Sequence, residues 1–290
     1  MSANDRKIRP ATPADHAVFE RLFPELEVED PPVSLENFVR VMMPTTLIAV
    51  AGEGAPDPDR AVGYAHFQLL DGRAYVRHLV TAPEARRTGV GRALLAAIVE
   101  RGRAASCTDW CLNVKRENTA AIALYEAVGM TRAFDSKALR LDWARAEAAA
   151  GAPADNVQNT RITARSIEPE DDARVETALA LMKGQLAMAR RAGERVLLAL
   201  FEGDDVVAGT VFDPAFPGAY PFRAARPDLA FALLRAVKPH ARPTHSYVKV
   251  VCEGQPAIAD ALIAVGATVV HDIVHMKGAL PAVTSIAPSR

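Results

Sequence analysis

Short apolar runs bounded by turn residues divide the first half of the chain into alternating strands and helices. Lys7–Pro10, Thr46–Ala51, Ala61–Leu70 and Arg73–Val80 predict strands, and Asp71-Gly72 between the last two predicts a tight hairpin. Val90–Ala104 carries apolar residues at Leu94, Leu95, Ile98 and Val99, a helical spacing. Thr12 with Pro13 behind it marks a helix start, and Ser34 caps a short helix through Met42. Glu25-Leu26-Glu27-Val28-Glu29-Asp30-Pro31-Pro32 is an acidic break between them. Trp110–Val114 predicts a strand, Thr119–Val128 a helix, and Met130–Asp142 two further strands. The order is a central hairpin followed by β-α-β-α-β, in the α/β (α+β) class.

Composition shifts after residue 144 to an Ala-rich stretch and then Gly151-Ala152-Pro153-Ala154-Asp155-Asn156, which predicts a linker over 146–160, open to a helical start, between domains 1–145 and 161–290. The second half repeats the first. Ala164-Arg165-Ser166-Ile167-Glu168-Pro169-Glu170-Asp171 echoes Ile8-Arg9-Pro10-Ala11-Thr12-Pro13-Ala14-Asp15. Residues 257–267 echo 120–130, and Val196–Glu202 with Val206–Phe212 echo the hairpin. The echoes keep their order, as a tandem duplication requires.

The turn Arg86-Arg87-Thr88-Gly89-Val90-Gly91 lies between a predicted strand and a predicted helix. Glycines there let backbone N–H groups approach a ligand, and the first N–H groups of a helix lack intrahelical partners at the positive end of its dipole. Such a turn suits a diphosphate, with Arg86, Arg87 and Arg92 adding charge. It matches neither a P-loop nor a dinucleotide fingerprint.

The turn resembles the acyl-coenzyme A loop of the GNAT N-acetyltransferases, R/Q-x-x-G-x-G/A. Leu79-Val80-Thr81-Ala82-Pro83-Glu84-Ala85 fits the family's approach to that loop, and Leu112 to Met130, with Asn118 before a helix carrying Leu124-Tyr125 and then Gly129, fits its second signature. The resemblance covers roughly residues 5–145 and implies tandem GNAT folds, each a mixed, mostly antiparallel central sheet flanked by helices. The second copy departs from the pattern. Arg223-Ala224-Ala225-Arg226-Pro227-Asp228 stands where the loop belongs, and Leu262 where Tyr125 does, so a degenerate domain is expected there.

The resemblance implies an acyl-CoA-dependent N-acyltransferase using acetyl-CoA as co-substrate and no metal. Arg86, Arg87, Thr88, Gly89, Val90, Gly91 and Arg92 would hold the diphosphate, and Asn118 would contact the cofactor arm. A backbone N–H near Leu79–Val80 would polarise the thioester. Tyr125 would protonate the leaving thiolate, while Asn118 also suits a plain helix cap. The base is open. His78 and His66, on the predicted hairpin, are candidates beside water or an amine that arrives deprotonated. Glu25, Glu27, Glu29 and Asp30 would either draw in a cationic amine or lie in a solvated loop. A small-molecule amine, a protein N-terminus or a lysine all remain as acceptors, and a homodimer stays open. An acyl-CoA-binding sensor without turnover is the alternative function, and acylation of a hydroxyl a third.

Bulk properties narrow this further. The 290-residue chain is half hydrophobic with a formal net charge of -1, which excludes nucleic acid held by bulk charge. The scattered Cys107, Cys111 and Cys252 point to a reducing compartment and buried thiols rather than zinc ligands. The polar N-terminus and the lack of a long apolar run predict a cytoplasmic protein with no membrane partner.

Overall fold

The computed structural model describes residues 6–29, 32–52, 60–150 and 162–282. Asp30, the loop at 53–59 and the expected linker core at 151–160 lie outside the described residues. Two compact units emerge: one of Met1–Val114, Asn118–Ala133 and Met276–Arg290, the other of Lys115–Glu117 and Phe134–His275.

The first unit contains β1 (Arg6–Pro10), β2 (Thr46–Ala51), β3 (Ala61–Leu70), β4 (Arg73–Thr81) and β5 (Asp109–Lys115, to Val114). β1 to β4 pair antiparallel in sequence order, and β5 lies parallel to β4. The hairpin turn forms as its residues predict, with Asp71 at φ 54° and Gly72 at φ 68°. On one face α1 (His16–Leu22) buries Val18, Phe19 and Leu22. On the other, α3 (Val90–Ala104) lies on β1 to β4 through Leu94, Leu95, Ile98 and Val99. Between these helices α2 (Leu35–Asn37) starts at Ser34, whose side chain accepts from Asn37 N, and runs into a wider π-helical turn, Phe38–Met42. Gly63 sets the height of α3, because a Cβ there would fall 2.6 Å from Val80 O and 2.9 Å from Val90 Cγ1. β5 leads into α4 (Thr119–Glu126).

The second unit repeats this with β7 (Ile162–Ser166), β8 (Val196–Glu202), β9 (Asp205–Asp213) and β10 (Gly218–Ala224) antiparallel, and β11 (Tyr247–Glu253) parallel to β10. Its helices are α6 (Asp172–Ala178), α7 (Gln185–Arg191), α8 (Pro227–Val237) and α9 (Pro256–Ala264). The sequence echoes fall on matching structure. Pro13–Asp15 and Pro169–Asp171 are both single 3-10 turns. Gly129 and Gly266 both close a helix at positive φ, 90° and 97°. In both helices the residue after that glycine donates back five residues, to Tyr125 O and to Leu262 O, each at 3.0 Å.

Three expectations are corrected here. Met130–Asp142 is one strand, β6 (Thr131–Asp142), not two, because the turn-type pair Asp135-Ser136 stays extended where Ser136 begins the ladder with β11. From Phe134 onward β6 belongs to the second unit, where Ser136–Asp142 pairs antiparallel with β11, so the units cross the contiguous boundary at 145. In exchange, the end of β12 (Thr268–Ala279) belongs to the first unit. There Leu280 N donates to Thr108 O at 2.7 Å and Arg103 Nε to Pro281 O at 2.8 Å. Finally, the helical start forms, as α5 (Trp143–Ala150), but it is packed rather than linker: Trp143 and Ala146 are buried in the second unit's core against α8. Among the described residues no helix is long and apolar enough to cross a membrane. Cys107, Cys111 and Cys252 are buried thiols.

Candidate active site

β4 and β5 pair only from Arg73↔Asp109 to Val76↔Leu112, although both strands continue. The cause lies on the opposite edge of β4. There His66 pairs with His78 but Phe67 with Val76, which leaves Arg77 as an extra residue. Such a bulge bends its strand, and here β4 leaves β5 to form a fork. Ala82 N donates to Val62 O at 2.9 Å, toward β3. Backbone groups alternate edges along a strand, so those of Val80 also face β3 and those of Leu79 and Thr81 face the fork. Of the expected pair Leu79–Val80, only Leu79 can offer its N–H there.

The arginine-glycine turn follows directly. Arg87 sits at φ 61° and Gly89 at φ 91°, and α3 begins at Val90 with no side chain capping it among the described residues. A left-handed residue followed by a right-handed one turns successive N–H groups into a concavity that suits an anion. Gly91 serves packing instead, since a Cβ there would lie 3.1 Å from Leu124 Cδ2 and 3.9 Å from Leu79 Cδ2. It thereby seats α4 beside the start of α3. Thr88 Oγ1 donates to Ala85 O at 2.6 Å and ties the turn to itself. Arg86 is paired with Glu25 at 2.5 Å, so this part of the acidic segment braces the turn. Arg87 is exposed and Arg92 half-buried.

On α4, Asn118 caps the helix by accepting from Ala121 N at 3.0 Å. Tyr125, six residues into the helix, is 7% exposed, and burial raises its pKa above the ordinary phenol value. Its hydroxyl therefore keeps its proton at neutral pH.

The two histidines lie together on the α1 face of the hairpin, with ring centroids 5.7 Å apart. His66 is buried with Nδ1 3.2 Å from Thr46 Oγ1, and His78 has Nδ1 3.4 Å from Tyr64 OH. Phe19 and Phe23 cover His78 at 6.4 and 5.9 Å between centroids. Burial first, then the charge of Arg77, lowers His66 to about 4; burial, His66 and Arg77 lower His78 to about 3. Both are neutral at physiological pH and weak as bases. The sign for stability follows from His66. Its pKa is ordinary, about 6.5, in the unfolded chain, so the unfolded state binds more protons below that value. Stability should fall as pH drops from about 6.5 toward 4, with His66 contributing up to about 1.4 kcal/mol per pH unit. In urea titrations across that window, His66→Gln is expected to flatten the pH slope; an unchanged slope would mean that the imidazole is not held neutral.

The sequence offered no signal for Tyr75, Arg77 and Asn113, which gather where the fork opens. Asn113 Nδ2 donates to Tyr75 OH at 2.9 Å, and the exposed Arg77 guanidinium lies over the Tyr75 ring at 4.8 Å from its centroid.

The second unit has the same fork in closed form. β10 and β11 pair only at Gly218↔Lys249 and Ala219↔Val250, and β10 carries an irregularity before Phe222. Here Gln255, which takes the place of Asn118, spans the opening. Its Nε2 donates to Phe222 O at 2.9 Å and its Oε1 accepts from Ala224 N at 3.1 Å. At the loop position, Arg226 is bound to Glu202 and Asp228, and Pro227 removes one N–H from the start of α8.

This architecture has known counterparts. Residues 16–130 match the model of the Acetyltransferase (GNAT) family, and this stretch is a GNAT domain. The whole chain shares its fold with solved acetyltransferase structures, one of them a tandem GNAT protein. A tandem GNAT protein from the clavulanic acid biosynthesis pathway superposes with a TM-score of 0.63 at 20% identity, covering 96% of this chain and 99% of that one. A GCN5-related N-acetyltransferase from Sphaerobacter thermophilus gives 0.64 at 18%, covering 97% and 98%. A protein from Pyrococcus horikoshii gives 0.68 at 16%, covering 95% and 90%. No curated protein matches the chain.

Proposed function

We propose that the protein is an acyl-CoA-dependent N-acyltransferase that moves acetyl from acetyl-CoA directly to a primary amine, with the first unit as its catalytic domain. The observation that carries this reading is the fork between β4 and β5, opening beside an uncapped helix start with Gly89 in the left-handed region. The residues fit the ligand. The N–H groups at the start of α3 would hold the diphosphate, with Arg87 and Arg92 adding charge. The fork-facing backbone of Leu79 and Thr81 would take the amide-bearing arm and polarise the thioester carbonyl.

The ammonium first gives one proton to water. Attack by the amine nitrogen then forms the C–N bond and breaks the C–S bond, Tyr125 gives its proton to the departing sulfur, and the second proton that the nitrogen loses returns to the Tyr125 oxygen through solvent. His66 and His78 support the aromatic wall rather than strong base catalysis. Their weak basicity is the one observation favouring the alternative of a binding module without turnover. Free-thiol release from acetyl-CoA with a panel of amines separates the two: release with any amine supports the enzyme, and cofactor binding without release supports the sensor.

The second unit is the degenerate copy in this reading. Gln255 places its own amide on the backbone groups equivalent to Leu79 and Thr81, where a cofactor arm would pair. One acyl-CoA per chain is expected by calorimetry. A crystal soaked with cofactor that shows a second molecule at Arg223–Asp228 would overturn the assignment.

A further inference from the structure

Tyr125 can serve a leaving thiolate only if α4 holds its hydroxyl at the fork. Asn118 caps the start of that helix, and at its end Met130 N donates back to Tyr125 O. Between these two ties, Leu124 is the residue that meets the cofactor turn. A Cβ on Gly91 would stand 3.1 Å from Leu124 Cδ2 and 3.9 Å from both Leu79 Cδ2 and Thr81 Oγ1. The bare Cα of Gly91 is therefore a seat on which side chains from α4 and β4 converge.

In the acyltransferase reading, each element meeting there has a different task. Gly91 is the second residue of α3, whose first N–H groups would hold the diphosphate. Leu79 would offer the fork-facing N–H to the thioester. Leu124 is the chain neighbour of Tyr125, about 100° around the helix. Tyr125 is buried, whereas Leu79 and Leu124 are half-buried, at the rim of the core rather than deep in it. The second unit lacks the whole arrangement. Leu262 stands where Tyr125 does, and with it Ala261 replaces Leu124 and Asp228 replaces Gly91. The bulky side chain and the bare seat that receives it are missing together with the phenol.

We propose that Leu124 is a positioning residue of the transfer step: seated against Gly91 and Leu79, it fixes the rotation of α4 and so aims the Tyr125 hydroxyl at the departing sulfur. This rests on the acyltransferase reading with Tyr125 as the acid, and adds the side chain through which the acid is held. Leu124 touches no reacting atom and acts through its neighbour.

A double-mutant cycle between Leu124 and Tyr125 tests this, read as single-turnover thiol release from acetyl-CoA with the most active amine of the panel. Leu124→Ala should slow that step about tenfold or more, the scale expected when a reacting group is displaced by a fraction of an ångström. The KM for acetyl-CoA should change less than about threefold, because the turn still holds the diphosphate. In a Tyr125→Phe background the same substitution should have almost no further effect, since the hydroxyl it misplaces is gone. Leu124→Met keeps the volume and should recover most of the rate. Leu124→Val, the milder truncation, replaces the alanine variant if that one melts below the assay temperature. Equal slowing in both backgrounds, wild-type rates in the truncated variant, or a loss of acetyl-CoA affinity in place of rate overturns the proposal and leaves the acyltransferase reading intact. If Tyr125→Phe is itself as fast as wild type, the acid assignment falls and the positioning role with it. Wild-type protein that binds acetyl-CoA and releases no thiol with any amine overturns the acyltransferase reading and this inference together.

Discussion

Tyr125→Phe is expected to slow single-turnover acetyl transfer by a factor of about ten to several thousand, the range of acid–base contributions. The ring fills a buried position on α4, and phenylalanine keeps that packing, so the melting temperature should move little. Burial raises the phenol's pKa, so in the acyltransferase reading the proton stays in place for the leaving thiolate. The lost interaction belongs to the transition state, so the KM for acetyl-CoA should change much less than kcat. Single-turnover rates are the right observable because product release can mask a chemical step. A variant with wild-type rates would return Tyr125 to a packing role and assign the proton to water.

Gly89→Glu is expected to weaken acetyl-CoA binding more than about tenfold, equivalent to roughly 1.4 kcal/mol. Two effects act together. At φ 91° any side chain strains the backbone, and a carboxylate would stand where the diphosphate's charge is received. Gly89→Ala carries only the first effect and serves as the control. Calorimetry on folded protein measures both variants. Unchanged affinity in the glutamate variant would remove the turn from the cofactor site.

Much of this site is readable along the chain because its signals are local. Gly89 precedes a helix, Asn118 caps one, and Asp71-Gly72 turns a hairpin, and each depends on neighbours a few residues away. The duplication is legible for the same reason, since both copies keep the proline turn and the closing glycine. The fork is not legible. Arg77 looks like an ordinary strand residue, and only the register of β3 against β4 makes it a bulge. Nor do the histidines announce their state. Their low basicity comes from burial and the charge of Arg77, and Phe19 and Phe23, which cover His78, arrive from a different part of the chain.

The sequence by itself determined where the helices begin, which helix start carries the glycines, that the pattern occurs twice, and that the second occurrence has neither those glycines nor the tyrosine. Tertiary structure decided which strands are neighbours. Alternation along β6 specifies which side chains share a face but not which edge the strand joins, and its hydrogen bonds go to β11, more than a hundred residues onward. It also decided the fate of each fork, because the same backbone opening is not spanned by β5 beside Leu79 and Thr81 and is filled by one glutamine amide beside Phe222 and Ala224. Unpaired strand groups need partners, and whether a ligand or the chain itself supplies them depends on a side chain's reach in space.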